Sequence, residues 1–219
     1  LKLLVFGLFF PNLAYGLFGI VPYASHTWSI GTEEQFYLLW PLILKFYKKS
    51  KLQIMYMVVV LYLFIKTLLY LNFLNFFTYK HILVEFWLSF NIDCMAIGGF
   101  FAVILYQKRK LLSYLMNINL FYSTLIVVLL LLFNGIHFSY FHFEIYSILF
   151  GIIILNFSSN NKIHISLENN FFNYLGKISY GIYMFHPIGI IISIKILLLL
   201  NLYSNWTVLI LTLLITIGL

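Results

Sequence analysis

The residues best suited to chemistry stand together in one short polar stretch, residues 26–41, which reads HTWSIGTEEQFYLLWP. Glu33 is followed by Phe36, Tyr37 and Trp40 at i+3, i+4 and i+7. On an α-helix this spacing places a carboxylate at the head of one aromatic stripe. A carboxylate in such a place can hold a proton or orient a neighbouring imidazole. The stripe predicts that Glu33 is a buried acid in a functional site.

The same stretch carries signals for the start and the bend of a helix. Thr32 and Gln35 have capping-box spacing, so we expect a helix to begin at Thr32 with both glutamates in its first turn. Pro41 lacks an amide hydrogen and should kink the helix or release the carbonyl of Tyr37. A structural alternative stays open, in which the glutamates start a helix at the membrane surface and the aromatic residues form an interfacial belt.

A second polar stripe lies in residues 175–187, which read LGKISYGIYMFHP. Ser179, Tyr183 and His186 stand at i, i+4 and i+7, so a hydroxyl, a phenol and an imidazole share one helix face. Such a line is expected to face a cavity or a partner. For His186 the structural alternative is a histidine that is hydrogen-bonded to a neighbouring helix.

Composition indicates which elements position these stretches. Hydrophobic residues make up 63% of the 219 residues and charged residues 9%, against roughly 25% charged in a soluble domain. At about 20 apolar residues per crossing the chain has room for about eight spans, and the long continuous runs exclude the alternating strands of a barrel. We predict an all-α, polytopic transmembrane helix bundle in the lipid bilayer, forming one domain over residues 1–219. The spans are expected near residues 1–20, 33–47, 53–71, 83–106, 111–133, 143–157, 174–200 and 206–219.

The net charge of +7 is explained by topology. The basic residues cluster after the second, fourth and sixth predicted spans, which places these loops in the cytoplasm and residues 28–33 on the outside. No nucleic-acid partner is therefore expected. The spacing of His137 and His142 fits no usual zinc pattern, so we expect no metal.

The first stretch resembles the signature of the acyltransferase family 3 membrane proteins. That signature reads Trp-Ser-Leu, two variable residues, Glu, two more, then Phe-Tyr, and only Ile30 departs from it. The second stretch resembles the family's late helix, which reads Ser-Tyr, two residues, Tyr-Leu, one residue, His. Asp93, followed by Gly98 and Gly99, weakly resembles a third segment, although the Arg often seen before that Asp is absent. Asp93 is interpreted either as a structural polar contact or as part of the site wall.

The resemblance implies a membrane O-acyltransferase of the bacterial cytoplasmic membrane. It would move an acyl group, usually acetyl from acetyl-CoA, to a hydroxyl of a cell-surface glycan or lipid-linked saccharide, with no bound cofactor. Glu33 and His186 are the expected catalytic residues. The residues expected to bind substrate are Trp28, Ser29, Phe36, Tyr37, Ser179, Tyr180, Tyr183 and Asp93. The oligomeric state stays open.

The resemblance also implies a catalytic histidine in a first membrane helix, preceded by a basic residue, and Glu33 would orient that imidazole. We do not find this helix in the sequence, and His26 lacks the basic partner. The chain is therefore expected to be a carboxy-terminal fragment that is truncated at both ends and inactive alone. Two alternatives remain: a transporter, which predicts an inverted repeat that we do not find, and a membrane scaffold, which leaves both polar stripes unexplained.

Overall fold

The computed structural model describes residues 2–19, 26–47, 50–71, 79–107, 110–165 and 167–218. These residues form helices and no strand, which confirms the all-α prediction. The helices in chain order are α1 (Lys2–Gly7), α2 (Pro11–Phe18), α3 (Thr27–Phe46), α4 (Lys51–Tyr70), α5 (Lys80–Phe90), α6 (Ile92–Tyr106), α7 (Lys110–Leu115), α8 (Ile118–Phe133), α9 (His142–Ser159), α10 (Asn170–Leu199) and α11 (Asn205–Gly218).

Four helical segments among the described residues are long and apolar enough to cross a membrane. They are Lys51–Tyr70, Lys80–Tyr106, His142–Ser159 and Asn170–Leu199. Two shorter apolar helices are Ile118–Phe133 and Asn205–Gly218. The protein is therefore a helical membrane protein, as predicted, but the count of about eight spans is not confirmed and stays a prediction.

A left-handed residue, Asn91, interrupts the segment Lys80–Tyr106 between α5 and α6, with φ 40° and ψ 33°. Asn tolerates this region better than most residues because its short polar side chain bonds locally. The hydroxyl of Tyr62 on α4 donates to the carbonyl of Trp87 at 3.0 Å and reaches Asn91 Oδ1 at 3.5 Å. These bonds fix the break and so set the start of α6.

The described residues divide into two compact units. In the first, which contains the described residues of 2–19 and 28–165, α6 packs between α4 and α9, and α8 packs on α9. Its apolar core includes Ile97, Phe101, Ile152 and Leu155. In the second, residues 26–27 and 167–218, α10 packs along α11. The prediction of a single domain stays a prediction.

The helix of the first polar stretch is α3, and it begins earlier than the capping box predicts. It starts at Thr27, so neither glutamate lies in its first turn. Thr32 does not cap it, because its hydroxyl donates to the carbonyls of Trp28 at 3.2 Å and Ser89 at 3.0 Å. The capping-box prediction is wrong: Thr32 instead ties α3 to the end of α5.

A buried amide pair holds α3 against α2. The Gln35 amide nitrogen donates to the carbonyl of Phe9 at 2.8 Å and to Asn12 Oδ1 at 3.0 Å, while Asn12 Nδ2 donates to Gln35 Oε1 at 3.2 Å. Gly31 lies against the ring of Pro11, so closely that a Cβ at this position would overlap the ring. The buried face of this part of α3 therefore consists of Gly31, Thr32 and Gln35.

Candidate active site

A cavity of about 350 Å³ lies in the first unit, where the N-terminal parts of α3, α6 and α9 meet. Trp28, Ser29 and Glu33 of α3 form part of its wall. Cys94 on α6 and Ser147 on α9 contribute polar groups to the wall, beside several aromatic side chains. With Thr32, four residues of the first polar stretch thus share one concave surface.

Glu33 lines this cavity and is exposed, so the prediction that it is a buried acid is wrong. The reason is the rotation of α3 about its axis. Gly31 allows close approach to Pro11, and the Gln35 amide pairs with Asn12, so these residues take the buried face. Glu33 is therefore left on an exposed face of α3, where it lines the cavity.

His186 is held by a carbonyl of its own helix. Pro187 has no amide hydrogen, so it cannot donate to the carbonyl of Tyr183, four residues earlier. His186 Nδ1 donates to that carbonyl at 2.6 Å. Because a carbonyl only accepts, this contact requires the hydrogen to be on Nδ1, and Nε2 is the ring nitrogen that it does not use. This hydrogen bond lies within α10, so it is not the bond to a neighbouring helix that the structural alternative for His186 predicts.

His26 lies next to His186, and both residues belong to the second unit. Its ring lies edge-on to that of His186, with centroids 5.1 Å apart, and 5.6 Å from that of Tyr183. The Tyr183 hydroxyl donates to the His26 carbonyl at 2.6 Å. Burial lowers the pKa of His26 below 6.5, and the nearby His186 lowers this pKa further. Two imidazoles and a phenol therefore form one cluster.

The sequence comparison agrees with both motifs. All of residues 1–219 match the family model described as the acyltransferase domain of acyltransferase family 3. The chain belongs to acyltransferase family 3. No curated protein and no solved structure was found to match it. The family inferred from the two polar stretches is thus confirmed, and the protein is a membrane acyltransferase.

In this acyltransferase two of the predicted site residues of α3 lie outside the cavity wall. Phe36 stacks on Trp40, with ring centroids 4.9 Å apart. The Tyr37 ring packs edge-on to Phe36 at 6.0 Å, and 63% of Tyr37 is exposed. The wall takes its α3 residues from the first two turns, so the aromatic stripe continues beyond the cavity.

Ser179 and Tyr180 are two further predicted site residues on α10. The Ser179 hydroxyl donates to the carbonyl of Gly176 in its own helix at 2.9 Å, and both side chains are exposed. Of the predicted stripe, Tyr183 and His186 lie together, with ring centroids 5.7 Å apart, and His26 contacts both rings.

Asp93 is fully buried, while its neighbours Asn91 and Cys94 line the cavity. Asp93 itself does not line the cavity wall, and the two interpretations of this residue stay predictions. Its surroundings include two residues that sequence reasoning missed, Lys66 and Glu144. These two form a buried ion pair, with Lys66 Nζ 2.6 Å from Glu144 Oε1. A signal was present, because opposite charges inside two predicted spans are expected to pair.

Proposed function

We propose that this acyltransferase transfers an acetyl group from acetyl-CoA to a hydroxyl of a cell-surface glycan or lipid-linked saccharide. In this proposal Glu33 and His186 are the catalytic residues. The observation that carries it is the cavity, whose wall combines Trp28, Ser29 and Glu33 of the family signature. Family membership supplies the reaction class, and the cavity supports a defined place for the acceptor.

The chemistry of the cavity wall fits a sugar. Aromatic side chains offer flat apolar surfaces to the C–H faces of a pyranose ring, and few polar groups fix its orientation. Trp28 and Tyr146 can supply such surfaces, while Ser29, Ser147 and Glu33 can hydrogen-bond to hydroxyls. A carboxylate is a strong acceptor for an O–H group.

The electrostatics of the cavity suit acyl transfer. The wall includes Trp28 and Ser29 from the first turn of α3, which carries no acidic residue. Helix N-termini carry positive partial charge, which favours the negative charge that develops on the acyl oxygen in the transition state. The cavity therefore supports the tetrahedral intermediate of ester formation better than a neutral pocket would.

The proposed step balances in atoms and charge. The acceptor oxygen forms a bond to the acyl carbon, the bond from that carbon to its donor breaks, and the hydroxyl proton goes to a base. An imidazole is suited to be this base, and in His186 the Nδ1 contact with the Tyr183 carbonyl leaves Nε2 as the nitrogen for proton transfer. The donor thiolate finally takes a proton and leaves as the thiol.

The positive-inside rule supports the sidedness of the proposal. It places the loops with basic clusters in the cytoplasm, and residues 28–33 on the outer side. An acceptor in the cell envelope would reach Glu33 from outside, and acetyl-CoA is made in the cytoplasm. A bacterial cytoplasmic membrane provides both sides.

The test is the acetyl ester content of the surface glycan in cells that express the protein from its complete gene. Glu33→Gln should lower it by a factor of about 10² or more, the usual contribution of a positioned acid or base. Glu34→Gln is the matched control, since Glu34 is the adjacent carboxylate on α3 but does not line the cavity. Normal acetylation by a folded Glu33→Gln variant would refute the role of Glu33.

A further inference from the structure

A buried group of charged residues in the first unit is not used by the proposed reaction. Lys66 on α4, Asp93 on α6 and Glu144 on α9 are 7%, 0% and 5% exposed. Lys66 Nζ lies 2.6 Å from Glu144 Oε1 and 4.9 Å above the centre of the Tyr140 ring. Asp93 interacts electrostatically with both Lys66 and Glu144. We call these three residues the charged trio.

The carboxyl groups of the trio have more acceptor atoms than donors. Among the residues that the structure describes, no side-chain donor meets either oxygen of Asp93 or the second oxygen of Glu144, and only the backbone amides of Asp93 and Cys94 lie near the Asp93 carboxyl. A carboxylate that is removed from water without hydrogen bonds is strongly disfavoured. The trio needs a further donor.

The charges do not balance either. Two carboxylates and one ammonium leave one negative charge in excess. Asp93 and Glu144 lie in the first turns of α6 and α9, whose dipoles offset part of this charge. The dipoles do not remove the cost of the unpaired oxygens within a membrane protein, where an uncompensated charge is expensive.

We propose that the charged trio is a proton-binding site, in which Asp93 and Glu144 share one proton beside the ammonium of Lys66. Glu144 keeps its charge-assisted bond to Lys66, and the proton gives Asp93 an O–H donor. Besides these charges, the ionisable groups around Asp93 are Tyr62 of α4 and Cys94 of α6. The hydroxyl of Tyr62 donates to the carbonyl of Trp87.

The proton-binding site adjoins the cavity. Cys94 follows Asp93 directly, and Ser147 stands one helical turn after Glu144, and both side chains line the cavity wall. The trio thus links the three helices α4, α6 and α9 beside the wall. This inference does not depend on the acyl donor or on the acceptor.

Infrared spectroscopy of the full protein in lipid nanodiscs tests the proposal directly. At neutral pH the wild type should show the carbonyl band of a protonated carboxylic acid. Asp93→Asn should remove this band, because Glu144 stays ionised on Lys66. Glu144→Gln should also remove it, because Asp93 then ionises to pair with Lys66. Glu34→Gln should keep it.

Thermal unfolding supplies a second measurement. Each single variant keeps one carboxylate for Lys66 and should unfold near the wild-type temperature, whereas Asp93→Asn with Glu144→Gln leaves the ammonium unpaired. The double variant should lose much more stability than the sum of the singles.

Absence of the carbonyl band in the wild type, or a band that persists in Asp93→Asn, would overturn the proposal. So would stabilisation of the wild type by sodium chloride but not by choline chloride, which would show a sodium ion in place of the proton.

Discussion

At His186 a single missing amide hydrogen leaves a backbone carbonyl to be bonded by a side chain. Pro187 removes the donor to the Tyr183 carbonyl, and His186, the residue just before the proline, takes that position through Nδ1. The same spacing separates Tyr37 from Pro41 in α3. The two polar stretches therefore share a local device, a carbonyl released by a proline one turn later.

The His26 imidazole should make stability depend on pH. Its pKa is lowered in the folded state, chiefly by burial and then by His186. The unfolded state therefore binds a proton more readily, so stability is complete above about pH 6.5 and falls as the pH is lowered through that value toward the folded pKa. We expect the thermal unfolding temperature of the purified protein to fall between about pH 7.5 and about pH 5.5.

Substitution separates His26 from the other titrating groups. His26→Gln should reduce this fall, while His164→Gln, at an exposed histidine of the loop after α9, should leave it as in the wild type. An equal pH dependence in wild type and His26→Gln would show that the His26 cluster does not titrate in this way.

The docking of α3 on α2 depends on one small residue. The ring of Pro11 occupies the space that a Cβ at position 31 would need, and a proline ring cannot rotate away. Gly31→Ala should therefore separate the helices and lower stability by about 1–3 kcal/mol, the usual cost of overpacking. Because the same helix carries Glu33, transferase activity should fall with it. Unfolding temperature and glycan acetylation would measure both effects.

Gly98 on α6 is the matched control for this substitution. A Cβ at Gly98 meets nothing within 4 Å. Gly98→Ala should keep or raise stability, because Gly in a helix costs roughly 0.5–1 kcal/mol relative to Ala. If Gly31→Ala were as stable as Gly98→Ala, α3 would not be held by the contact with Pro11.

The membrane elements could be read from the sequence where a long apolar run has no competing signal. The predicted spans 53–71 and 143–157 correspond closely to α4 and α9. The orientation of α3 could not be read in this way, because it depends on Pro11 and Asn12, which lie far along the chain. The spacing of residues shows which side chains share a helix face, but the helices packed against it decide which face is buried.

Only those parts of the candidate site that lie within one helix could be predicted from the sequence. Both motifs gave the family and the pairing of Tyr183 with His186 on one face. The contact of His26 with these residues joins positions 157 residues apart, and the pair of Lys66 and Glu144 joins positions 78 residues apart. Such contacts depend on tertiary structure, although two lone charges inside apolar runs were a usable sign of the ion pair.

The central claim for the whole molecule is transfer of an acyl group across the bilayer to an external hydroxyl at the Glu33 cavity. The most direct measurement uses sealed membrane vesicles that contain the complete protein, with acetyl-labelled acetyl-CoA on the cytoplasmic face and the glycan acceptor on the other. The wild type should place label on the glycan as a base-labile ester, and Glu33→Gln should not. Label transfer that is absent in the wild type, or undiminished in Glu33→Gln, would contradict the claim.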